Sequence, residues 1–372
     1  MIEPEVRKIV EEGSGNMISF AQRLIQLPSV TGEEGAVADL ILSEMKKLDY
    51  DKVYRDEAGN VVGVISGTGD GEHLLYNCHM DQVDPGNISA WEYPPFEGVV
   101  ADGWIHGRGA SDTKGAIASQ VYSAAAIKKA GKRHGGDIIV SAVVEEEPGD
   151  MWGMRKLVDS VISDYPGKIG MLVLGEATGL NVYLGHRGKV EIDIRTLGKV
   201  AHSSAPWRGV NAVYKMRPVI EAIEKLGNGL PEHPFLRRSS VAVTNVTCSP
   251  GWLSTVPDVC TIRIDRRFLP SENRRTILGE LENILGSAGL KVGEDAFVEI
   301  QKYDHTGYTG IKESMELYKP AFLTPEEEPH VLGVVKALKD VGQKPSFNCW
   351  DFGTDGAWVA TELNIPTIGY SP

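Results

Sequence analysis

Cysteine is scarce: only Cys78, Cys248, Cys260 and Cys349 occur in 372 residues. No two form a CxxC spacing, which excludes a thiolate zinc site, and the number is too small for a disulfide framework. They read as buried free thiols. No apolar run approaches the roughly 18 residues that cross a bilayer, so a spanning helix is excluded and no membrane partner is expected. The first twelve residues carry Glu3, Glu5, Arg7, Lys8, Glu11 and Glu12 where a signal peptide would have a basic start and an apolar stretch. The expected location is therefore the cytoplasm. Positive charge is also short: 38 lysines and arginines face 51 aspartates and glutamates, a net charge of -13. With no basic block to offset it, a phosphate backbone would be repelled and nucleic acid is not a partner. Fixed-period repeats and low-complexity tracts are missing as well.

What is present is ordinary globular composition, with 42% hydrophobic and 24% charged residues. At roughly 100–200 residues per domain the length suggests two domains. Helical spacing runs over residues 4–27 and 33–48, then again at 115–130. Between and after these lie short apolar or β-branched runs at 60–66, 73–78, 137–144 and 168–174. The last two are apolar almost throughout, as in strands covered on both faces, and predict an α/β fold with a mostly parallel sheet flanked by helices. From about residue 185 the texture changes. Alternating strands at 189–196 and 260–266 with helices at 212–226 and 274–285 predict an inserted α+β unit. A helix at 325–340 and a strand at 365–370 return to the first pattern. The expected division is 1–184 and 303–372 for a split catalytic domain, with 185–302 inserted.

The chemistry gathers at predicted strand ends. In Cys78-His79-Met80-Asp81 the period-two alternation puts His79 and Asp81 on one face, where Asp81 could orient the imidazole or stand near a metal-bound water. Alone, such a triplet carries little weight. A glycine-rich loop, Gly107-Arg108-Gly109-Ala110-Ser111-Asp112, sets Asp112 just ahead of a helix; an isolated acid there is commonly a dipole partner, but it can also bridge cations. The run Glu145-Glu146-Glu147-Pro148-Gly149 follows an apolar strand, where open α/β sheets place their ligands. The next strand leads to Glu176. One imidazole and several carboxylates from successive strand ends suit two zinc ions that share a carboxylate.

This order and spacing resemble the zinc metallopeptidase and deacylase family of acetylornithine deacetylase, succinyl-diaminopimelate desuccinylase, aminoacylase and glutamate carboxypeptidase. The resemblance spans nearly the whole chain and is most specific over residues 79–115, including Trp91, Pro95-Phe96 and Asp102-Gly103. It implies that His79 and Glu176 hold one zinc, Asp112 bridges, Glu147 holds the second and Glu146 is the general base. The alternative register makes Glu145 the base and Glu146 the ligand. Co2+ or Mn2+ could replace Zn2+. Asp81 joins Glu146 and His202 as implied catalytic residues. His202, in Gly198-Lys199-Val200-Ala201-His202, matches the oxyanion-stabilising histidine that acts across a dimer interface, so the insert becomes a dimerisation or lid domain and the protein a homodimer. Arg267, in Asp265-Arg266-Arg267, matches a structural or carboxylate-binding position. The implied reaction is hydrolysis of an amide bond in an N-acyl amino acid or small peptide, by a zinc-bound hydroxide with a glutamate base. The competing reading is a metal-depleted, catalytically weak relative that acts as a binding or assembly protein.

Two departures stand out. No arginine matches the one many members use for the substrate carboxylate. The family also has a histidine ligand soon after a strand such as 365–370, whereas the sequence stops at Pro372, so the expectation is a complete first metal site and a second one short of a ligand. His305 and His330 are the remaining histidines considered as replacements, and neither sits at the matching place.

Overall fold

Runs such as Ile138–Val143 and Ile169–Leu174 offer water no polar face, so each must lie between two layers. The computed structural model describes residues 4–164, 168–251 and 254–372 and has this arrangement. Residues 1–3 of the charged N-terminal stretch lie outside it. The first part supplies α1 (Pro4–Ile25), α2 (Gly35–Lys47), β1 (Lys52–Arg55), β2 (Val61–Ile65) and β3 (His73–His79). It continues with α3 (Gly115–Lys129), β4 (Ile138–Val143), α4 (Trp152–Asp164), β5 (Ile169–Leu174) and β6 (Val182–His186). Then come β7 (Gly188–Leu197), α5 (Ala212–Gly229), β8 (Ser240–Ser249), β9 (Val259–Phe268), α6 (Arg274–Ser287) and β10 (Ala296–Ile300). A hairpin of β11 (Lys302–Thr306) and β12 (Lys312–Glu316) precedes two short strands, β13 (Tyr318–Lys319) and β14 (Phe322–Leu323). The chain closes with α7 (Pro329–Asp340), β15 (Phe347–Trp350), α8 (Gly356–Glu362) and β16 (Thr367–Gly369).

The large sheet has the order β1-β2-β4-β3-β5-β16-β6-β14, with β15 also paired to β6. Its central strands β4, β3, β5 and β16 are parallel. Antiparallel neighbours flank them on both sides. Side-chain alternation along β4 splits the core in two. Val140 packs with Phe20, Leu24, Ile41 and Val121 on one face, and Ile139 packs with Met154, Leu157 and Leu172 on the other. At about 1.5–3 kcal/mol for each fully buried aliphatic side chain, both faces stabilise the sheet that carries the site.

The small sheet, β8-β9-β7-β10 with β13 added beside β7, is antiparallel. Strand β7 alternates strictly: Val190, Ile192 and Ile194 are buried, while Lys189, Glu191, Asp193 and Arg195 lie at the surface. The buried set packs on Met216 and Val219 of α5 and on Ile277 and Leu281 of α6. Strand β13 comes from beyond residue 302 and still joins this sheet.

Two sequence expectations need correction. The helix expected from residue 325 begins at Pro329, whose fixed φ and missing N–H suit the first helical position, while Pro325 opens a turn closed by the Glu328 N–H. Cys78, Cys260 and Cys349 are buried, but Cys248 is exposed because it lies on the edge strand β8. Among the described residues no helix is long and apolar enough to cross a membrane.

Candidate metal centre

Parallel strands finish on the same side of a sheet, so residues at their carboxyl ends converge. His79 is the last residue of β3, Glu146 and Glu147 follow β4, and Glu176 follows β5. Asp112 enters from a distorted turn over Ala110–Lys114 ahead of α3. The ligand atoms of His79, Glu146 and Glu176 lie within 4.8 Å of one another, as do those of His79, Asp112 and Glu147.

The ring of His79 is fixed from behind. Its Nδ1 lies 2.9 Å from the Asp81 carbonyl oxygen, which can only accept, so Nδ1 carries the proton. The other nitrogen, Nε2, faces Asp112 Oδ1 at 2.7 Å and Glu176 Oε1 at 3.6 Å. Two carboxylates facing one nitrogen lone pair call for a proton or a metal cation between them. Asp81 itself is fully buried and accepts from Thr31 Oγ1 at 2.9 Å, from the Glu146 N–H at 3.0 Å and from the Glu147 N–H at 3.1 Å. Burial opposes its charge, but His79 and these N–H donors outweigh it and hold the carboxyl below the usual range. One carboxylate thereby ties the β3 end to the backbone that carries the two glutamates.

The acids crowd each other. Burial, with Asp112, Glu146 and Asp81 adding repulsion against the pull of His79, pushes Glu147 up to about 7. Burial, Glu146 and Asp112 likewise raise Glu176 well above the ordinary carboxyl range, although His79 pulls the other way. This donor set fits a hard or borderline divalent cation: one imidazole and several oxygens, with Glu147 and Glu176 disfavoured as anions until positive charge arrives.

Two residues without a sequence motif belong to the site. Lys319 of β13 is buried, and its Nζ donates to Glu146 Oε1 at 2.6 Å and to the Gly353 carbonyl at 3.1 Å. Burial opposes its charge, yet Glu146 and Asp355 keep it above the usual lysine range. Asp355, just before α8, is buried with neither carboxylate oxygen hydrogen-bonded among the described residues. Burial and then Glu146 raise its pKa well above normal. The only local trace of Asp355 is an acid inside Gly353-Thr354-Asp355-Gly356; Lys319 leaves none.

Other expected residues stand apart. Glu145 turns its side chain away, to His305. His202 is exposed, and its Nδ1 accepts from the N–H and hydroxyl of Ser204. Arg267 is held in a bidentate pair with Asp265, at 2.7 and 3.1 Å. His330 pairs with Glu72 and Glu328, and His305 with Glu145 and Asp150, so neither joins the acid cluster.

Known proteins resemble this chain over most of its length. The succinyl-diaminopimelate desuccinylase of Buchnera aphidicola is 26% identical over 279 residues, 73% of each chain. The uncharacterized protein YgeY of Escherichia coli K12 is 33% identical over 361 residues, covering 96% of this chain and 86% of its own. In three dimensions the aminopeptidase PepT from Bacillus cereus superposes with a TM-score of 0.72 at 20% identity, over 95% of this chain and 89% of that one, which speaks for a shared fold. The family model described as Peptidase family M20/M25/M40 matches residues 75–371, and with that match the chain belongs to this family of hydrolases.

Proposed function

We propose that the protein hydrolyses the amide bond of an N-acyl amino acid or short peptide with two divalent metal ions, zinc in the first instance. The observation that carries this reading is the convergence of His79, Asp112, Glu146, Glu147 and Glu176 at the strand ends, with too much negative charge for the protein alone. His79 and Glu176 would hold one ion, Glu147 the other, and Asp112 both. When bound, such ions polarise a carbonyl oxygen and make a nearby water more acidic.

The chain's own groups do the rest. Glu146 takes a proton from the attacking water and returns it to the leaving amine, the work of a general base turned acid. Lys319 and the Asp81-anchored N–H groups restrict where its carboxylate can point. Asp81 also keeps His79 in the tautomer whose Nε2 is free to coordinate.

His202 would stabilise the oxyanion from a second copy of the chain. Its exposure supports this, as does the exposure of the large apolar side chains Val200, Trp207, Val210 and Tyr214 in the same stretch of sequence. In this reading residues 185–302 form the dimerisation unit.

The test is Glu146→Gln. Turnover of a responsive substrate, found among N-acyl amino acids and dipeptides, should fall by about 10²–10⁴-fold while the metal content stays at two per chain. Undiminished hydrolysis would remove Glu146 from the role.

A further inference from the structure

The loop from Glu145 to Asp150 joins β4 to α4 and carries both Glu146 and Glu147. Its two ends meet at one buried side chain that the hydrolysis scheme does not use. We propose that His305 is a positioning residue whose imidazolium staples the first and last residues of this loop together, fixing Glu146 and Glu147 between them.

The geometry is specific. His305 sits on β11, fully buried, with Nδ1 2.5 Å from Glu145 Oε2 and Nε2 hydrogen-bonded to Asp150 Oδ2. Both partners are carboxylates. A neutral imidazole has one N–H and would turn a lone pair toward the other acid, so with both acids ionised the arrangement calls for a proton on each nitrogen. Trp152 stacks on the ring at 4.9 Å and 17°, and its N–H is accepted by Asp150 Oδ1 at 3.1 Å, so the ring plane and the far end of the loop are set together. At the near end Glu145 has φ +52°, a left-handed conformation that a non-glycine residue keeps only when its surroundings hold it. The Glu145 N–H donates to Glu34 Oε1 at 3.1 Å.

The groups around the ring can be named. Tyr303 meets it edge-on at 4.9 Å. Glu313, opposite on β12, is engaged by Lys156 and the Trp152 indole N–H. Glu34, behind Glu145, is pushed up to about 7 by burial and by Asp81. Burial works against a charged His305, but Asp150 and Glu145 outweigh it and push the ring up to about 9. With a folded value above the unfolded one, the stabilisation is complete below about 6.5 and is lost as pH rises through about 9. In the proposed hydrolysis, on which this consequence rests, alkaline release of the staple would loosen a base and a metal ligand at once.

The experiment begins with the unaltered protein. Imidazole 15N shifts should show His305 protonated on both nitrogens at pH 7.5, with loss of a proton near pH 9; a neutral ring at pH 7.5 overturns the proposal. In His305→Gln, the Glu146, Glu147 and Gly149 amides should exchange with solvent faster than in the wild type, while those of β5 and β9 keep their protection. Zinc affinity should fall by about 10–100-fold, as when a group supporting a metal ligand is lost. Unchanged loop exchange in a folded variant overturns the proposal. If His305→Gln does not fold, Asp150→Asn opens one end of the staple and must give the same local pattern. Failure of the hydrolase reading looks different: the wild type would bind no zinc, while ring protonation and loop exchange would still decide the staple.

Discussion

The outer face of the small sheet and the strand-end edge of the large one are both crowded with charge and handle it in opposite ways. On the small sheet each acid has its base: Lys189 with Glu191 at 2.7 Å, Arg263 with Asp193 at 2.9 Å and Arg267 with Asp265 at 2.7 Å. Beneath that face the buried Arg266 meets Glu272 at 2.5 Å. On the large sheet, five acids, Asp112, Glu146, Glu147, Glu176 and Asp355, share His79, Lys319 and, beside Asp112, Arg108 as their near cations. A face whose charges are matched needs nothing more to be stable. An edge whose charges are unmatched is disfavoured alone and becomes a receptor for positive charge.

Three measurements can break or sharpen this contrast. The largest effect should come from Arg266→Ala, which leaves Glu272 without its buried partner and should cost about 3–5 kcal/mol in denaturant unfolding. A loss below about 1 kcal/mol would show that matching is not what holds the small sheet. On the unmatched edge, zinc at about 100 times its dissociation constant should stabilise the chelator-stripped protein by about 2.7 kcal/mol. An unfolding curve that zinc leaves in place would end the contrast. The smallest change should be Asp193→Asn on the exposed face, at about 0.2–1 kcal/mol. A cost comparable with that of Arg266→Ala would mean that exposed pairs matter as much as the buried one.

How much of this was legible in the sequence depended on distance along the chain. His79, Glu146, Glu147 and Glu176 lie beside the strands that position them, so alternation and apolar runs pointed to them directly. The parallel core was legible for the same reason, because Ile138–Val143 and Ile169–Leu174 have no polar face. Lys319, Asp355 and His305 act on neighbours far away in sequence, and their own surroundings mark them faintly, as with Asp355, or not at all. His305 was considered only as a substitute metal ligand, whereas both its nitrogens are engaged by acids outside the cluster. The exposed Cys248 escaped for a related reason: composition does not say which strand ends up at a sheet edge.

The strand order also sets a timetable for synthesis. Among the described residues every strand of the small sheet lies within 188–319, whereas β16, which sits between β5 and β6 in the large sheet, follows the other strands in the sequence. At about 5–20 residues per second, β5 waits roughly 10–40 s on the ribosome for that neighbour. The small sheet can therefore close on the nascent chain first, with Lys319 already fixed in it. In that order of events, the acids of the large sheet would gather around an ammonium group in place before the sheet is complete.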